Sequence, residues 1–336
     1  MKGKQLRKAV LLGMAMSMVV WTTGMAQEPI TDDFTYNKAE SITVTNTEEG
    51  QAAIQVTDKE VSISPTDEGS TIKLESAGSG IRTEGGSNGS MITLTSSGGN
   101  EIYFNSVSDA GDGITVDDVS TVKIETAGQN YIHAGNFKDL GNLTKINGGD
   151  GVRISGNGHV SMTGQTNKIE VVDDGLHIQS ESGEDANIEL IATGSGEDKI
   201  GNYIVGNNGV RIDAEKAGDI SVIANNGNNV IHGVNDAVYN SGSGTITIQA
   251  GFSSDTGISL LDDFVGYNNV LTAGANGVHS DGTGTTNVIA DNDNIIAGTT
   301  NGILSNDSGT INVTAGNDNF IGQYADESGR TVTSQN

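Results

Sequence analysis

A two-part motif recurs along this chain and constrains its fold more than any other feature. An Asn-x-Ile step is followed nine residues later by the apolar residue of a Gly-Val or Gly-Ile step, as where Asn269 precedes Val278. Repeats of 20 to 50 residues are typical of solenoids, in which similar units stack into one elongated domain. The second step, called the anchor below, has nine copies, which begin at Ala53, Gly80, Gly113, Gly151, Gly175, Gly209, Ala237, Gly277 and Gly302.

Each unit contains three short apolar patches that are separated by Asp, Gly and Asn. In the unit that begins at Gly209, the patches are 210–212, 220–222 and 230–231. Their alternation of apolar and polar residues is typical of strands, which send every second side chain to one face. The sequence therefore predicts an all-β fold, a right-handed parallel β-helix of about nine coils with three strands per coil. At about 4.8 Å per coil, the rod would be about 40 Å long.

The repeat also predicts how the chain is divided. The longer intervals between anchors indicate insertions in outer loops. The predicted segments are a signal peptide over 1–26, a leader or cap over 27–50, β-helix repeats over 51–322 with insertions near 133–149 and 251–267, and a polar tail over 323–336.

Two columns of Asx residues accompany the repeat. One heads the third strand and predicts a ladder of stacked amides, because such amides hydrogen-bond from coil to coil. It consists of Asn100, Asn130, Asn167, Asn229, Asn269, Asn294 and Asn319, with Asp198 in the remaining copy. The other column directly precedes the anchor and predicts sharp corners, since Asx-Gly pairs tolerate positive φ and bond their own backbone. It consists of Asp112, Asp150, Asp174, Asn208, Asp236, Asn276 and Asn301.

The first 26 residues have the pattern of a secretory signal. Four basic residues precede a 12-residue apolar run, and Gly24-Met25-Ala26 offers the small residues of a cleavage site, which predicts cleavage after Ala26. Removal of the leader would lower the formal net charge from −26 to −30. Such an acidic surface repels nucleic acid. The chain has no cysteine, so no disulfide holds the fold.

The stretches Asp150–Gly158, Asn276–Thr285 and Asn301–Gly322 show the repeat pattern, which covers most of residues 50 to 322. With these stretches the chain resembles the passenger region of bacterial autotransporter adhesins. This resemblance implies an exported β-helix at the cell surface or outside the cell that binds a host-cell or matrix ligand or another bacterial surface. It also implies an outer-membrane barrel in a full-length version. The polar tail lacks the alternating apolar segments of a barrel, so the chain is either a truncated passenger or a protein exported by other means.

The candidate site is a column directly after the anchor. Arg82, Arg153 and Arg211 take this place, and so do His177 and His279, while carboxylates lie two or three residues upstream. Stacked carboxylates repel one another unless a cation intervenes. The column is therefore either a binding stripe, an active site like those of β-helical polysaccharide lyases and hydrolases, or a set of cations that neutralise the acidic corners formed by Asp112, Asp150 and Asp174.

Two further features are candidates for binding. Oxygen-rich turns that contain Asp291, Asp293 and Asp318 loosely match calcium-binding β-rolls and predict at most weak Ca²⁺ binding. The insertion near 251–267 is rich in apolar residues, among them Phe264 and Tyr267. It is either a flap that recognises a partner or a segment that packs on the coil beside it.

The sequence favours a non-catalytic, adhesin-like function for a monomeric rod without a tightly bound cofactor. No Ser-His-Asp order, phosphate-binding loop or zinc spacing is present. Two alternatives stay open: a polysaccharide enzyme that uses the Asp and Arg columns, and a structural spacer.

Overall fold

The chain winds into a parallel β-helix with three strands per turn. The computed structural model describes residues 25–104, 111–135, 149–179, 186–196, 199–213, 217–251 and 267–323. Within these ranges the strands form three parallel sheets of nine, ten and eleven strands, which confirms the predicted fold class. The same ranges contain no helix of the length and apolar character that would cross a bilayer.

The strands are short and evenly distributed along the described ranges. In chain order they are β1 (Met25–Gln27), β2 (Phe34–Tyr36), β3 (Ile42–Asn46), β4 (Ile54–Val56), β5 (Glu60–Ile63), β6 (Thr71–Ser76), β7 (Ile81–Thr83), β8 (Met91–Ser96), β9 (Gly99–Phe104), β10 (Ile114–Val116), β11 (Thr121–Thr126), β12 (Gln129–Ala134), β13 (Val152–Ile154), β14 (His159–Gly164), β15 (Thr166–Glu170), β16 (Leu176–Ile178), β17 (Ala186–Ala192), β18 (Ile200–Gly206), β19 (Val210–Ile212), β20 (Gly218–Ala224), β21 (Asn228–Gly233), β22 (Asp236–Asn240), β23 (Thr245–Ala250), β24 (Asn269–Ala273), β25 (Asn276–Ser280), β26 (Thr285–Ala290), β27 (Asn294–Gly298), β28 (Asn301–Ser305), β29 (Thr310–Ala315) and β30 (Asn319–Gln323).

Each sheet collects every third strand. Sheet 1 runs from β4 to β28 and contains the nine predicted anchors. Sheet 2 contains β2 and every third strand from β5 to β29, whereas sheet 3 contains β1, β3 and every third strand from β6 to β30. The anchor residues lie in register along all of sheet 1, from Ile54 on Ile81 to Val278 on Ile303. The varying length between anchors is therefore absorbed in the loops.

The core is a narrow column of aliphatic side chains. Inward positions of all three sheets carry Ile, Val and Leu with almost no exposed surface, and Phe104 is the largest fully buried side chain. Because each coil adds the same few side chains, the protein buries apolar area with few of the large aromatic residues that a globular core uses.

The stack begins before residue 51. β1 pairs with β3, β2 pairs with β5, and β3 pairs with β6, so the segment that the sequence assigns to a leader or cap contributes strands to sheets 2 and 3. Cleavage after Ala26 would leave only Gln27 of β1, which pairs with Val44.

The two predicted insertions fall on connections between strands. One joins β12 to β13 and the other joins β23 to β24. Their central residues, 136–148 and 252–266, lie outside the described residues, and so does the predicted tail beyond Gln323.

The predicted amide ladder is present on the inner face of sheet 3. Each Asn donates its side-chain N–H to the side-chain oxygen of the next Asn over 2.8 to 2.9 Å. The prediction was wrong in one copy, because Asn202 and not Asp198 takes the place between Asn167 and Asn229. Asp198 itself lies outside the described residues.

The structure requires glycine at the anchors because of close packing, and not because of the positive φ that the sequence predicted. None of them has a positive φ among the described residues. A Cβ built at Gly151 would lie 2.5 Å from Cγ2 of Ile169 and 2.5 Å from the carbonyl oxygen of Gly175. Glycine is therefore needed because sheet 3 and the next coil approach the corner closely, and not because the corner requires a left-handed backbone.

Candidate functional site

The predicted Arg and His residues form one continuous column on the outer face of sheet 1. Cross-strand pairing places each of them beside its neighbour in the next coil. From the first coil to the last, the column reads Gln55, Arg82, Thr115, Arg153, His177, Arg211, Tyr239, His279 and Leu304.

The Asx residues before the anchor form a second column, called the corner ladder below. Six of the seven side chains are buried. In five of them the side-chain Oδ1 accepts a hydrogen bond from the backbone N–H of the same position in the next coil, whereas Asn276 Oδ1 accepts from the side chain of Asn301. Asp112 Oδ1 accepts from Asp150 at 2.9 Å, and Asp150 Oδ1 accepts from Asp174 at 2.9 Å. Asp174 Oδ1 accepts from Asn208 at 3.0 Å. The Asx side chain thus bonds the next coil, whereas the sequence predicted a bond to its own backbone.

The second carboxylate oxygen of each Asp contacts the cation of the next coil. Asp150 Oδ2 lies 2.7 Å from His177 Nδ1, and Asp174 Oδ2 lies 3.1 Å from Arg211 Nη1. Asp112 Oδ2 lies 2.9 Å from Arg153 Nε, an ion contact without hydrogen-bond alignment. One carboxylate therefore joins two coils twice, through a backbone N–H and through a side-chain cation.

The same geometry recurs near the C-terminal end of the column. Asp236 Oδ1 accepts from the backbone N–H of Asn276 at 3.0 Å, and Asp236 Oδ2 lies 2.9 Å from His279 Nδ1. The other ring nitrogen of His279 lies 3.1 Å from Asp281 Oδ1.

The charge of the corner residue in one coil is matched by the charge of the column residue in the next coil. An Asp at the corner of one coil is followed by Arg or His in the next coil, as in the contacts above. A neutral corner residue is followed by a neutral residue: Ser79 by Thr115, Asn208 by Tyr239, and Asn276 by Leu304.

Arg82 is the exception, because Ala52 occupies the preceding corner. It lies 3.4 Å from Glu84 and 3.8 Å from Asp117. The coil-by-coil match supports charge neutralisation as the main purpose of the Arg and His column.

His177 is the most buried of the five Arg and His residues in the column. Both ring nitrogens face carboxylates: Nδ1 faces Asp150, and Nε2 lies 3.2 Å from Asp213 Oδ2. Burial, the largest single effect, would lower the pKa of His177, but the hydrogen bonds to Asp150 and Asp213 and the negative charges of Asp150 and Asp174 together raise the pKa to about 9. His177 is therefore an imidazolium ion at neutral pH, electrically equivalent to the arginines beside it.

The acidic side of the corner carries more charge than its cations balance. Burial raises the pKa of Asp112 to about 6, and the charge of Asp150 adds to this shift. Burial and the carboxylates of Asp150 and Asp174 raise the pKa of Asp173 to about 6. The pKa of Asp174 is raised for the same reasons, by burial first and by Asp150 second.

The corner suits a structural purpose better than catalysis. The carboxylate oxygens of Asp150 and Asp174 already have partners, and both side chains are less than 10% exposed. A general acid or a nucleophile must reach a substrate atom within hydrogen-bond distance.

The other predicted site residues lie elsewhere. Asp293 Oδ1 accepts hydrogen bonds from the Asn317 side chain and from the backbone N–H of Asp318, so it joins its coil to the next one in the manner of the corner ladder. Among the described residues, the group with metal-ligand spacing is at the corner and does not include Asp291, Asp293 or Asp318.

Tyr267 is half-buried just before β24, and its carbonyl oxygen accepts from the backbone N–H of Asn292 at 3.0 Å. Phe264 lies outside the described residues.

One surface feature escaped the sequence analysis, namely the outer face of sheet 3. The residue after each ladder Asn points outward, and in five consecutive coils it is apolar. These residues form the outer stripe: Tyr203, Val230, Val270, Ile295 and Phe320. Ile295 and Phe320 are 36% and 37% exposed. The signal was present in the sequence, at the variable position of the Asn-x-Ile step.

An aromatic cluster adjoins the stripe on the same face. Tyr131 and His133 stack with ring centroids 4.2 Å apart, and Tyr103 lies 4.8 Å from His133. Lys168 Nζ lies 4.7 Å from the centroid of the Tyr131 ring. The face thus combines rings with charged side chains, in a chain that is only 4% aromatic.

Comparison with protein-family models, with curated proteins and with solved structures found no match for this chain. Its functional assignment therefore depends on the sequence and the geometry described above.

Proposed function

We propose that this protein is an exported, non-catalytic β-helical passenger of the adhesin type, which binds a protein on another cell or in the extracellular matrix. The observation that carries this proposal is the outer stripe. Five consecutive apolar side chains at about 4.8 Å per coil span about 20 Å of the sheet surface. Exposed apolar patches that polar residues surround are typical of protein-binding sites.

The chemistry of the partner follows from charge. The chain has a formal net charge of −26, so a partner with basic residues around an apolar centre approaches it favourably. Lys73 and Glu101 hold the same outward position in earlier coils, which limits the apolar surface to the C-terminal half of sheet 3. The partner therefore contacts the rod on one face and toward one end.

The resemblance to autotransporter passengers agrees with a rod that presents a binding face. The signal-like leader and the absence of cysteine in the sequence fit export through two membranes. The corner ladder gives little support to the polysaccharide-enzyme alternative, because its carboxylates are buried and engaged. A spacer would have no use for an apolar outer stripe.

The test is binding of the purified protein to epithelial cells and to immobilised matrix proteins. We expect the double variant Ile295→Asp and Phe320→Asp to lower the affinity strongly, because each change places a carboxylate in the apolar contact. Thr314→Asp is the matched control, since Thr314 is outward on sheet 2 in the same coil as Phe320. Its binding should stay at the level of the unmodified protein.

Two results would overturn the proposal. One is equal binding by the double variant and the unmodified protein. The other is turnover of an acidic or neutral polysaccharide that disappears in Arg153→Ala or Asp174→Ala, which would instead favour the enzyme.

A further inference from the structure

Three ligand atoms converge at the corner between the coils of β13 and β16. They are Asp150 Oδ2, Asp174 Oδ2 and His177 Nδ1, and all three lie within 4.8 Å of one another. The His177 nitrogen is 2.7 Å from the Asp150 oxygen and 3.7 Å from the Asp174 oxygen. All three side chains are buried.

The ring of His177 is held in the orientation that a metal ligand needs. Its Nε2 lies 3.2 Å from Asp213 Oδ2, which fixes the N–H on that side when the ring is neutral. Metal-bound histidines commonly donate their second N–H to a carboxylate in this manner. The Nδ1 of His177 faces the carboxylates of Asp150 and Asp174, where a metal ion would replace the proton that the imidazolium ion carries.

Charge around the three atoms favours a divalent ion over a proton. Three carboxylates, those of Asp150, Asp174 and Asp213, contact two cations, His177 and Arg211. Replacing the Nδ1 proton of His177 by a divalent ion adds one positive charge, which balances the one negative charge in excess. Arg211 Nη1 stays 3.1 Å from Asp174 Oδ2 and orients that carboxylate from outside.

We propose that Asp150, Asp174 and His177 bind a divalent transition-metal ion of the Zn²⁺ class. One nitrogen and two carboxylate oxygens suit Zn²⁺, whose ligand atoms lie about 2.0 to 2.2 Å from the ion and hence ~3.4 Å from one another. The distances from His177 Nδ1 to the two carboxylate oxygens, 2.7 and 3.7 Å, lie on either side of this ligand-to-ligand distance. Each ligand atom would therefore move by less than about 1 Å when the ion binds. Ca²⁺ takes six to eight oxygen ligands, which a buried site with one histidine does not supply.

The chain contains its own control for this site. At His279, the ring nitrogens face Asp236 and Asp281 in the same way as those of His177 face Asp150 and Asp213. Asn276, however, stands where Asp174 stands in the upstream site, so the third carboxylate is missing. The site at His177 should therefore bind the ion, and the site at His279 should not.

The experiment uses tag-free protein stripped with a chelator, in excess Ca²⁺ to occupy exposed carboxylates. Calorimetric titration with ZnCl₂ should give one ion per chain, and CoCl₂ should produce the visible absorption of four-coordinate Co²⁺ with a nitrogen ligand. Asp174→Asn should abolish both signals while the corner ladder persists, because asparagine serves in that ladder at 208, 276 and 301. Asp213→Asn should weaken binding about 10- to 100-fold.

Two further variants keep the result decisive. His279→Gln should leave one ion per chain, and Asn276→Asp should add a second ion, because it supplies the missing carboxylate. The proposal is overturned if the unmodified protein binds no Zn²⁺ under these conditions. It is also overturned if Asp174→Asn, folded by circular dichroism, keeps the Co²⁺ spectrum, or if His279→Gln removes it.

Discussion

Two ladders of side chains connect each coil of the β-helix to the next, one through neutral amides and the other largely through charged groups. The amide ladder in sheet 3 repeats one residue, because an amide carries a donor and an acceptor and can bond an identical neighbour above and below. At its Asp positions, the corner ladder beside sheet 1 uses carboxylates, which only accept. It therefore draws its donors from the next coil, as a backbone N–H and as Arg or His. A neutral ladder extends by repetition, whereas a charged ladder requires matched partners.

The largest effect should come from breaking the charged ladder. Asp150→Ala removes the partner of the buried His177 and of the Asp174 backbone N–H. Losing one member of a buried ion pair costs about 3 to 5 kcal/mol, and His177 then keeps only its longer contacts with Asp213 and Asp174. Urea denaturation should show this loss. Asn208→Ala, at a neutral corner, is the control and should cost about 1 kcal/mol. Equal losses would show that charge does not distinguish the two ladders.

Breaking the amide ladder should cost somewhat less. Asn202→Ala leaves the side-chain N–H of Asn167 and the side-chain oxygen of Asn229 without partners. Each buried, unpaired group costs about 1 to 3 kcal/mol, so we expect a loss of about 2 to 5 kcal/mol in urea denaturation. Asn100→Ala, at the end of the ladder, should cost less because it leaves only one amide without its neighbour. The comparison fails if both variants lose the same stability.

The two ladders should also differ in their response to pH. The pKa of His177 is raised to about 9 in the folded protein from an ordinary value of 6.5. Its contribution to stability is therefore fully present below pH 6.5 and is lost as the pH rises through 9.

Urea denaturation in the presence of a chelator should show this loss between pH 6.5 and 9. His177→Arg should flatten the profile over that range, because Arg keeps its charge. Asn202→Ala should lower the whole profile without changing its shape. An unchanged slope in His177→Arg would contradict the assignment.

The raised pKa values of two corner carboxyl groups change the stability of the protein in a lower pH range. Asp112 and Asp173 have pKa values raised to about 6 from 3.8. Their contribution to stability is present below pH 3.8, where both states are protonated, and is lost as the pH rises through 6. Asp112→Asn should remove part of this loss, measured as the slope of unfolding free energy against pH from 4 to 6.

The smallest effect should come from extending the amide ladder. The side-chain oxygen of Asn100 is buried without a partner, and the preceding coil places Ile72 at the same position. Ile72→Asn would supply an N–H to that oxygen, which offsets much of the lost apolar burial. Ile42→Asn, one coil earlier, faces Ile72 and gains no partner. We expect Ile72→Asn to be more stable than Ile42→Asn by about 1 to 3 kcal/mol.

The amide ladder was largely predictable because it depends on one residue type at a recurring place. The error at Asn202 came from an irregular register in β18, where the pairing shifts between Ile200 and Asn202. The hydrogen bond from Asn to Asn, and not the count of residues, decides which side chain enters the ladder. The fold class was predictable for the same reason, since stacking depends on local periodicity.

The corner ladder was only partly predictable. The sequence identified both columns, but it did not show that Asp150 pairs with His177 of the next coil and not with Arg153 of its own coil. The partner of Asp150 depends on which residues of adjacent coils lie side by side. Loops of varying length change the sequence interval between coils, so this arrangement cannot be read from the spacing. The outer stripe was missed because outward positions of a strand follow no pattern that the core imposes. Metal-ligand spacing at the corner was equally hidden, since Asp150 and His177 meet only after one full turn.

The two ladders run in opposite senses, and this gives every coil an upper and a lower side that differ. Toward the next coil, a coil presents an amide N–H at one corner and a side-chain oxygen at the other. Toward the previous coil it presents an amide oxygen and a backbone N–H. An inverted coil would set donor against donor at one corner and acceptor against acceptor at the other. The pair of ladders therefore favours one relative orientation of two rods. Donors meet acceptors at both ladders when the rods join head to tail, and like groups meet at both ladders when the rods join head to head.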